Sequence, residues 1–277
     1  MQLFDDVSME CSARITKRYS TSFSMGIRVF EERFRNPIYA IYGFVRFADE
    51  IVDTFHNHNK RELLNRFRAD TYQSIDEGIS LNPVLHSFQI VVRKYNIERE
   101  LIEAFLASME MDLEHHDYEQ SLYEKYIYGS AEVVGLMCLR VFCEGDANKY
   151  EQLKSYAQSL GAAFQKINFL RDMRSDFDDR GRVYFPGIDF SKFTEAEKDE
   201  IEIDIKKDFD HAYIGIQKLP KGARLGVYLA YKYYLNLYKK IKTSSAERVQ
   251  KERIRVPDTK KIYLLFSSTL RNSLNLL

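Results

Sequence analysis

Two pairs of aspartates share one spacing: Asp49 with Asp53, and Asp172 with Asp176. Residues four apart lie on one face of a helix, so each pair projects its two carboxylates together, and like charges so placed destabilise a bare helix. A solvated face suits a charge-dense stretch such as Glu195 to Asp210. It suits the first pair badly, because Phe44-Val45-Arg46-Phe47-Ala48-Asp49-Glu50-Ile51-Val52-Asp53 is core-like around it. Paired carboxylates with open coordination positions are how proteins hold Mg²⁺, which keeps waters and takes phosphate oxygens as further ligands. Two such pairs on separate helices suit a diphosphate clamped through bridging metals.

The second pair continues a polar ladder. Gln165, Asn168, Asp172 and Asp176 follow at steps of three, four and four on an otherwise apolar stretch. Buried amides need partners, which a wet cavity wall with a metal supplies. Just beyond comes Asp179-Arg180-Gly181-Arg182-Val183-Tyr184-Phe185-Pro186, in which a glycine between two arginines lets guanidinium groups curl onto phosphate oxygens. Arg46 also reads as an ordinary i,i+4 partner of Glu50. Arg253 and Arg255 are candidates for a further phosphate contact.

Helices must position these groups. Apolar residues recur at three- and four-residue steps through Ile38–Ala48, Leu101–Leu113 and Ala157–Leu170. Gly222 to Ile241 reads as another helix with Pro220 near its start, and Val84 to Lys94 follows an Asn82-Pro83 start signal. Convincing strands and short repeats are absent. The expectation is an all-α chain of roughly eight to ten helices, a single domain over residues 1–277.

Composition narrows the function. The 277 residues carry 41 Lys+Arg and 41 Asp+Glu. A chain without net charge has no basic field for nucleic acid. Nineteen Tyr and nineteen Phe with no Trp hint at an aromatic-lined cavity. Cys11, Cys138 and Cys143 form no disulfide or zinc pattern and read as thiols of a cytoplasmic protein. The N-terminus has acids where a signal peptide needs cations. The apolar run Val133 to Leu139 is too short to span a bilayer.

These residues carry a resemblance to the squalene/phytoene synthase family of head-to-head prenyl synthases. The matching pieces are Tyr19-Ser20-Thr21-Ser22-Phe23-Ser24, Tyr39 to Asp53, Tyr126-Ile127-Tyr128-Gly129-Ser130-Ala131, and Gln165 to Asp176 followed by Arg180 to Pro186. Their order and spacing agree over nearly the whole chain, and the pattern looks closest to bacterial phytoene synthases. The resemblance implies an isoprenoid-synthase helical bundle with a central cavity. It implies that Asp49, Asp53, Asp172 and Asp176 bind Mg²⁺, or Mn²⁺ in its place, with Asn168 beside them. It puts Arg46, Arg171 and Arg182 near the diphosphates, and Tyr128 and Gln165 in the cavity. Tyr128 and Arg171 join the four aspartates as catalytic candidates. Tyr19, Ser22, Phe23, Ile27, Tyr42 and Tyr184 complete the substrate-binding set.

The implied reaction joins two prenyl diphosphates into a cyclopropylcarbinyl diphosphate, whose ionisation and rearrangement end in proton loss, with no NADPH expected. Aromatic faces stabilise the carbocation, and a closed cavity keeps water from it. Gly26 and Ile27 stand where a large aromatic would shorten the cavity, so two geranylgeranyl diphosphates are expected, giving phytoene for carotenoid biosynthesis. The C40 product is insoluble in water, so transient contact with a membrane surface is expected too. Squalene or dehydrosqualene synthesis from farnesyl diphosphate is the alternative. A non-catalytic lipid-binding or assembly protein of the same fold is a second, and a terpene cyclase acting on one diphosphate a third. A di-metal oxidase bundle would use Asp53/His56, Asp112/His115 and Asp208/His211, weak stand-ins for Glu-x-x-His.

Overall fold

The computed structural model describes residues 1–114, 118–257, 263–265 and 268–269. The described residues form helices and no strand: α1 (Gln2–Tyr19), α2 (Thr21–Arg28), α3 (Glu32–Asp53), α4 (Lys60–Glu77), α5 (Pro83–Tyr95), α6 (Arg99–Met111), α7 (Gln120–Ile127), α8 (Val133–Cys143), α9 (Ala147–Arg180), α10 (Glu195–Lys218), α11 (Lys221–Lys242) and α12 (Ala246–Lys251). The all-α expectation holds. The described residues hold twelve α-helices where eight to ten were expected; α2, α7 and α12 span only 8, 8 and 6 residues.

Local chemistry sets the helix ends. Ser20 Oγ accepts from the Phe23 N–H at 3.2 Å and starts α2. Asn82 Oδ1 accepts from the Val84 N–H at 3.0 Å, with Pro83 in the first turn, as the start signal predicts. Thr194 and Glu197 close a capping box on α10. Gly181, at φ 64°, ends α9 in the left-handed conformation that glycine adopts without strain.

Two apolar clusters hold the helices together. In one, the Phe44 ring of α3 stacks on Phe88 of α5 at 3.9 Å, with Phe67 of α4 and Phe105 of α6 within 5.5 Å. The other lies among α9, α10 and α11. Between α7 and α8 the helix widens into a π turn over Tyr128–Glu132. A methyl on Gly129 would meet the Ala104 carbonyl at 2.4 Å, and one on Gly161 of α9 would meet the Ala131 carbonyl at 2.7 Å. Glycine at both positions lets α6 and α9 close on this turn.

Two sequence expectations are corrected. The apolar run Val133 to Leu139 is part of a longer helical stretch: Gln120–Cys143 spans 24 residues and contains an 18-residue window of mean hydropathy 1.3, long and apolar enough to cross a membrane by length and composition. Here it packs against α3, α6 and α9 and buries Leu136, Met137, Leu139 and Phe142. The stretch Glu195 to Asp210 is not simply a solvated face. Lys198 Nζ and Glu202 Oε1 of α10 pair at 2.6 Å with both side chains 2% exposed.

Candidate functional site

A cavity of about 570 Å³ lies among α2, α3, α8, α9, α10 and α11, within the roughly 300–1,000 Å³ range of small-molecule sites. Its wall changes character along its length. On α3 the lining residues run Ile38, Ile41, Tyr42, Val45, Arg46, Asp49. On α9 they run from Leu153 through Leu160 and Phe164 to Gln165, Asn168 and Arg171. Both helices are apolar where they enter the cavity and polar where they leave it. The wall segment of α9 is about 27 Å long at 1.5 Å per residue. The apolar end is bounded by Gly26, Ile27 and the Phe30–Phe142 pair, ring centroids 5.1 Å apart.

At the polar end Arg46 stacks over the Tyr19 ring at 4.4 Å. It pairs with Glu50 Oε2 at 2.6 Å, the ordinary i,i+4 bond, and lies 3.9 Å from Asp49 Oδ2. Its Nε is buried without a partner. Burial pushes Asp49 up to about 7; Arg46 opposes the rise, and the carboxylates of Asp53 and Asp112 add to it. About a third of its side chain stays accessible, and Asp49 lines the cavity. On the α9 side Asn168 Nδ2 donates to Gln165 Oε1 at 3.4 Å, and Asn168 Oδ1 accepts from Tyr234 Oη at 3.2 Å. The Tyr234 ring stacks on Phe164 at 3.9 Å, and Phe23 lies 5.6 Å from Tyr42. Burial pushes the Tyr42 phenol up to about 12, so it stays protonated.

The second acidic pair follows the wall on α9, Asp172 directly after the lining residue Arg171 and Asp176 a turn further on, and neither is among the lining residues. The Asp172 carboxylate pairs with Arg171 and lies 2.8 Å from Arg253 Nε, and both arginines line the cavity. Asp176 is buried. Asp53 lies a turn beyond Asp49 on α3.

Of the candidates, Tyr19, Phe23, Ile27 and Tyr42 line the cavity with Arg46 and Asp49, and so do Gln165, Asn168 and Arg171. The side chain of Ser22 lies outside the described residues, as do those of Asp179 and Arg180 and all of His115 and His116. Three candidates lie off the cavity wall. Tyr128 is not among the lining residues: it opens the π turn and packs against the apolar cluster around Phe44, where burial first and the charges of Glu132 and Glu98 next raise its phenol, while Ser130, Ala131 and Val134 line the cavity. Arg182 and Tyr184 are buried away from the wall. Arg182 Nη1 lies 3.0 Å from Asp112 Oδ1, and Tyr184 Oη donates to the same oxygen at 3.3 Å. The oxidase pattern dissolves as well: Asp208 binds Lys166 at 2.7 Å and His211 Nδ1 binds Ser159 at 2.8 Å. Among the described residues no three His, Cys, Asp or Glu side chains converge into a ready metal cluster.

Sequence reasoning met Asp112 only as a weak partner of His115 and passed over Tyr234. Asp112 stands directly after α6 between Met111 and Leu113, with Glu110 and Glu114 on either side, so nothing in its spacing sets it apart from a charged helix end. Tyr234 is one tyrosine among several on α11, and nothing in its spacing distinguishes it.

Comparison with known proteins places these features. Residues 16–207 match the squalene/phytoene synthase family model. A phytoene synthase of Arthrospira platensis is 28% identical over 95% of this chain and 93% of its own. A 4,4'-diapophytoene synthase of Staphylococcus haemolyticus is 28% identical over 70% of this chain and 68% of its own. Among solved structures, a dehydrosqualene synthase in complex with a ligand superposes with a TM-score of 0.80 at 20% identity, covering 96% of each chain, a likeness of fold.

Proposed function

Since the chain belongs to the squalene/phytoene synthase family and so to its prenyltransferase enzymes, we propose that it joins two geranylgeranyl diphosphates head to head, through a cyclopropylcarbinyl diphosphate, to phytoene. The observation that carries this reading is the gradient of the wall, from a deep apolar end at Gly26 and Ile27 to arginines, amides and carboxylates at the mouth. Similarity to a phytoene synthase over 95% of the chain supports it.

Carboxylates with an amide beside them are the donor set a hard divalent cation takes, although among the described residues no three carboxylates already converge. Asp49 is a carboxyl held up to about 7, with Asp53 and Asp112 adding negative charge that the single guanidinium of Arg46 does not balance. Asp49, Asp53, Asp172 and Asp176, with Asn168 beside them, would hold Mg²⁺. Bound there, the metal supplies charge neutralisation for a departing diphosphate.

The chain's own groups do the rest. Arg46, Arg171 and Arg253 at the mouth bind diphosphate oxygens and hold the reacting carbons at the start of the apolar wall. The faces of Phe23, Tyr42, Phe164 and Tyr234 stabilise the cation. The apolar walls of α3, α8 and α9 exclude water. Tyr42 keeps its proton, so the released diphosphate is the better acceptor of the final one. No reductant is needed when the sequence ends in proton loss.

The test is incubation of the purified protein with Mg²⁺ and either geranylgeranyl or farnesyl diphosphate, with and without NADPH, followed by analysis of extracted hydrocarbons. A C40 hydrocarbon formed without NADPH is the expected result. A C30 product formed in preference would overturn the choice of substrate. No hydrocarbon from either, from folded protein, would overturn the enzymatic reading.

A further inference from the structure

Arg182 belongs to the sequence motif that suggests a phosphate-binding arm, yet its guanidinium is spent elsewhere. Its Nη1 lies 3.0 Å from Asp112 Oδ1 and donates to Tyr184 Oη at 3.1 Å, and its Nη2 donates to the Asp112 backbone carbonyl. The two side chains are 9% and 6% exposed. Asp112 is satisfied from other sides as well: Tyr126 Oη lies 2.9 and 3.0 Å from its two oxygens. The rings of Tyr118, Tyr126 and Tyr184 surround this pair, and Tyr184 stacks on Phe169 of α9 at 4.1 Å. Swinging Arg182 out to a substrate would strand a buried carboxylate among aromatic rings, an arrangement proteins resist strongly.

The backbone of Arg182 makes the pair more than a local contact. Its N–H donates to the Asp176 carbonyl at 3.0 Å, closing the last turn of α9. One residue therefore caps the helix that carries Asp172 and Asp176 and ties that helix to the end of α6. The other partner, Asp112, caps the C-terminal end of α6, which packs against α3, and its charge acts on Asp49 and feels that of Asp53. The pair thus stands where the two acidic motifs must be held at a fixed separation.

Resting on the prenyl diphosphate reading above, we propose that Asp112 and Arg182 are a buried clamp that sets the position of the α9 acidic motif against α3, so that Arg182 is a positioning residue and not a diphosphate ligand. The two roles predict opposite effects for one substitution. If Arg182 bound diphosphate, freeing it from Asp112 would preserve or strengthen binding. If it is a clamp, losing either partner weakens binding alike.

The experiment is calorimetric titration of wild type, D112N, R182Q, R182K and the D112N/R182Q double variant with inorganic pyrophosphate in the presence of Mg²⁺, with thermal melts of each. We expect D112N and R182Q each to weaken binding by about tenfold or more, as loss of a supporting partner does at metal sites. The double variant should be no weaker than either single one. R182K, which keeps a cation within reach of Asp112, should retain most of the affinity. D112N is isosteric and the double variant carries no buried charge, so the comparison survives if R182Q alone fails to fold. D112N binding pyrophosphate as tightly as wild type or tighter would overturn the clamp while leaving the functional reading intact. Failure of the wild type to bind pyrophosphate would overturn both.

Discussion

Arg253 reaches back from the segment after α12 to bring its Nε within 2.8 Å of Asp172 Oδ1, the oxygen to which Arg171 Nε also donates at 3.0 Å. A residue eighty-one positions along the chain thus completes the charge at the mouth of the cavity, which both arginines line. In the proposed complex Arg253 contacts a diphosphate oxygen, so truncating it to alanine removes a charge-assisted hydrogen bond made only with bound substrate, worth about 1.5–3 kcal/mol. Arg253→Ala should therefore lower kcat/KM for a prenyl diphosphate by about 10- to 100-fold with an unchanged melting temperature, because its side chain is half exposed. Steady-state kinetics beside a thermal melt checks both parts, and a drop in melting temperature matching the loss of activity would assign Arg253 to the fold instead.

The fold and the two acidic pairs were legible because they rest on local rules. Helical periodicity, the Asn82-Pro83 start and the four-residue spacing of the aspartates are written in contiguous residues, and so is the ladder from Gln165 to Asp176. What the sequence hides is how distant segments meet. Arg182 looks like a mobile arm beside a glycine; only its meeting with Asp112, seventy residues away, makes it a buried brace. Tyr128 looks like part of the cavity until the π turn shifts the helix phase and gives that face to Ser130, Ala131 and Val134. The reading of Glu195 to Asp210 as solvated holds for most of its charges but not for the Lys198–Glu202 pair, which is covered by packing that a charge count does not show.

Removal of divalent metal is the second test. With Asp49 buried to the point of a shifted carboxyl and Asp53 and Asp112 nearby, chelation by EDTA should abolish product formation and Mg²⁺ should restore it, with Mn²⁺ as a substitute. Asp49→Asn removes one carboxylate from the α3 pair and should cost about 100-fold or more in kcat, the order seen when one charge-stabilising group is lost. Pyrophosphate affinity measured with and without Mg²⁺ separates a metal role from a direct one. Equal affinity in both conditions would argue against metal at this site.

Cys138 gives a probe of the cavity that needs no turnover. It lines the wall, and burial pushes its thiol up to about 12. A thiol ionising that high is almost wholly protonated at pH 8, so alkylation by iodoacetamide should be slow. Its rate should rise about tenfold per pH unit without levelling before pH 11, because the thiolate is the nucleophile. A prenyl diphosphate analogue in the cavity should suppress it further. Peptide mapping by mass spectrometry reads the modification directly, and rapid labelling of Cys138 at pH 7 would contradict the burial.

The apolar end supplies the last prediction. α2 and α11 cross at Gly26 and Gly226. A methyl on Gly226 would lie 2.2 Å from the Phe30 ring and 2.6 Å from the Gly26 carbonyl, whereas one on Gly26 would meet only the Gly226 carbonyl at 3.4 Å. The bare backbone at Gly226 is therefore what lets Phe30 lie back against α11 at the floor of the cavity. Added to Gly226, the methyl must move the Phe30 ring, and the open volume beside that ring is the cavity itself. Gly226→Ala should shorten the space for the tail and shift preference from geranylgeranyl towards farnesyl diphosphate, at a stability cost of about 1–3 kcal/mol for overpacking. Gly26→Ala, with room for its methyl, should change selectivity much less. Competition between the two substrates, read by the ratio of C40 to C30 hydrocarbon, measures the shift. An unchanged ratio in a folded Gly226→Ala variant would show that Phe30 does not set the floor.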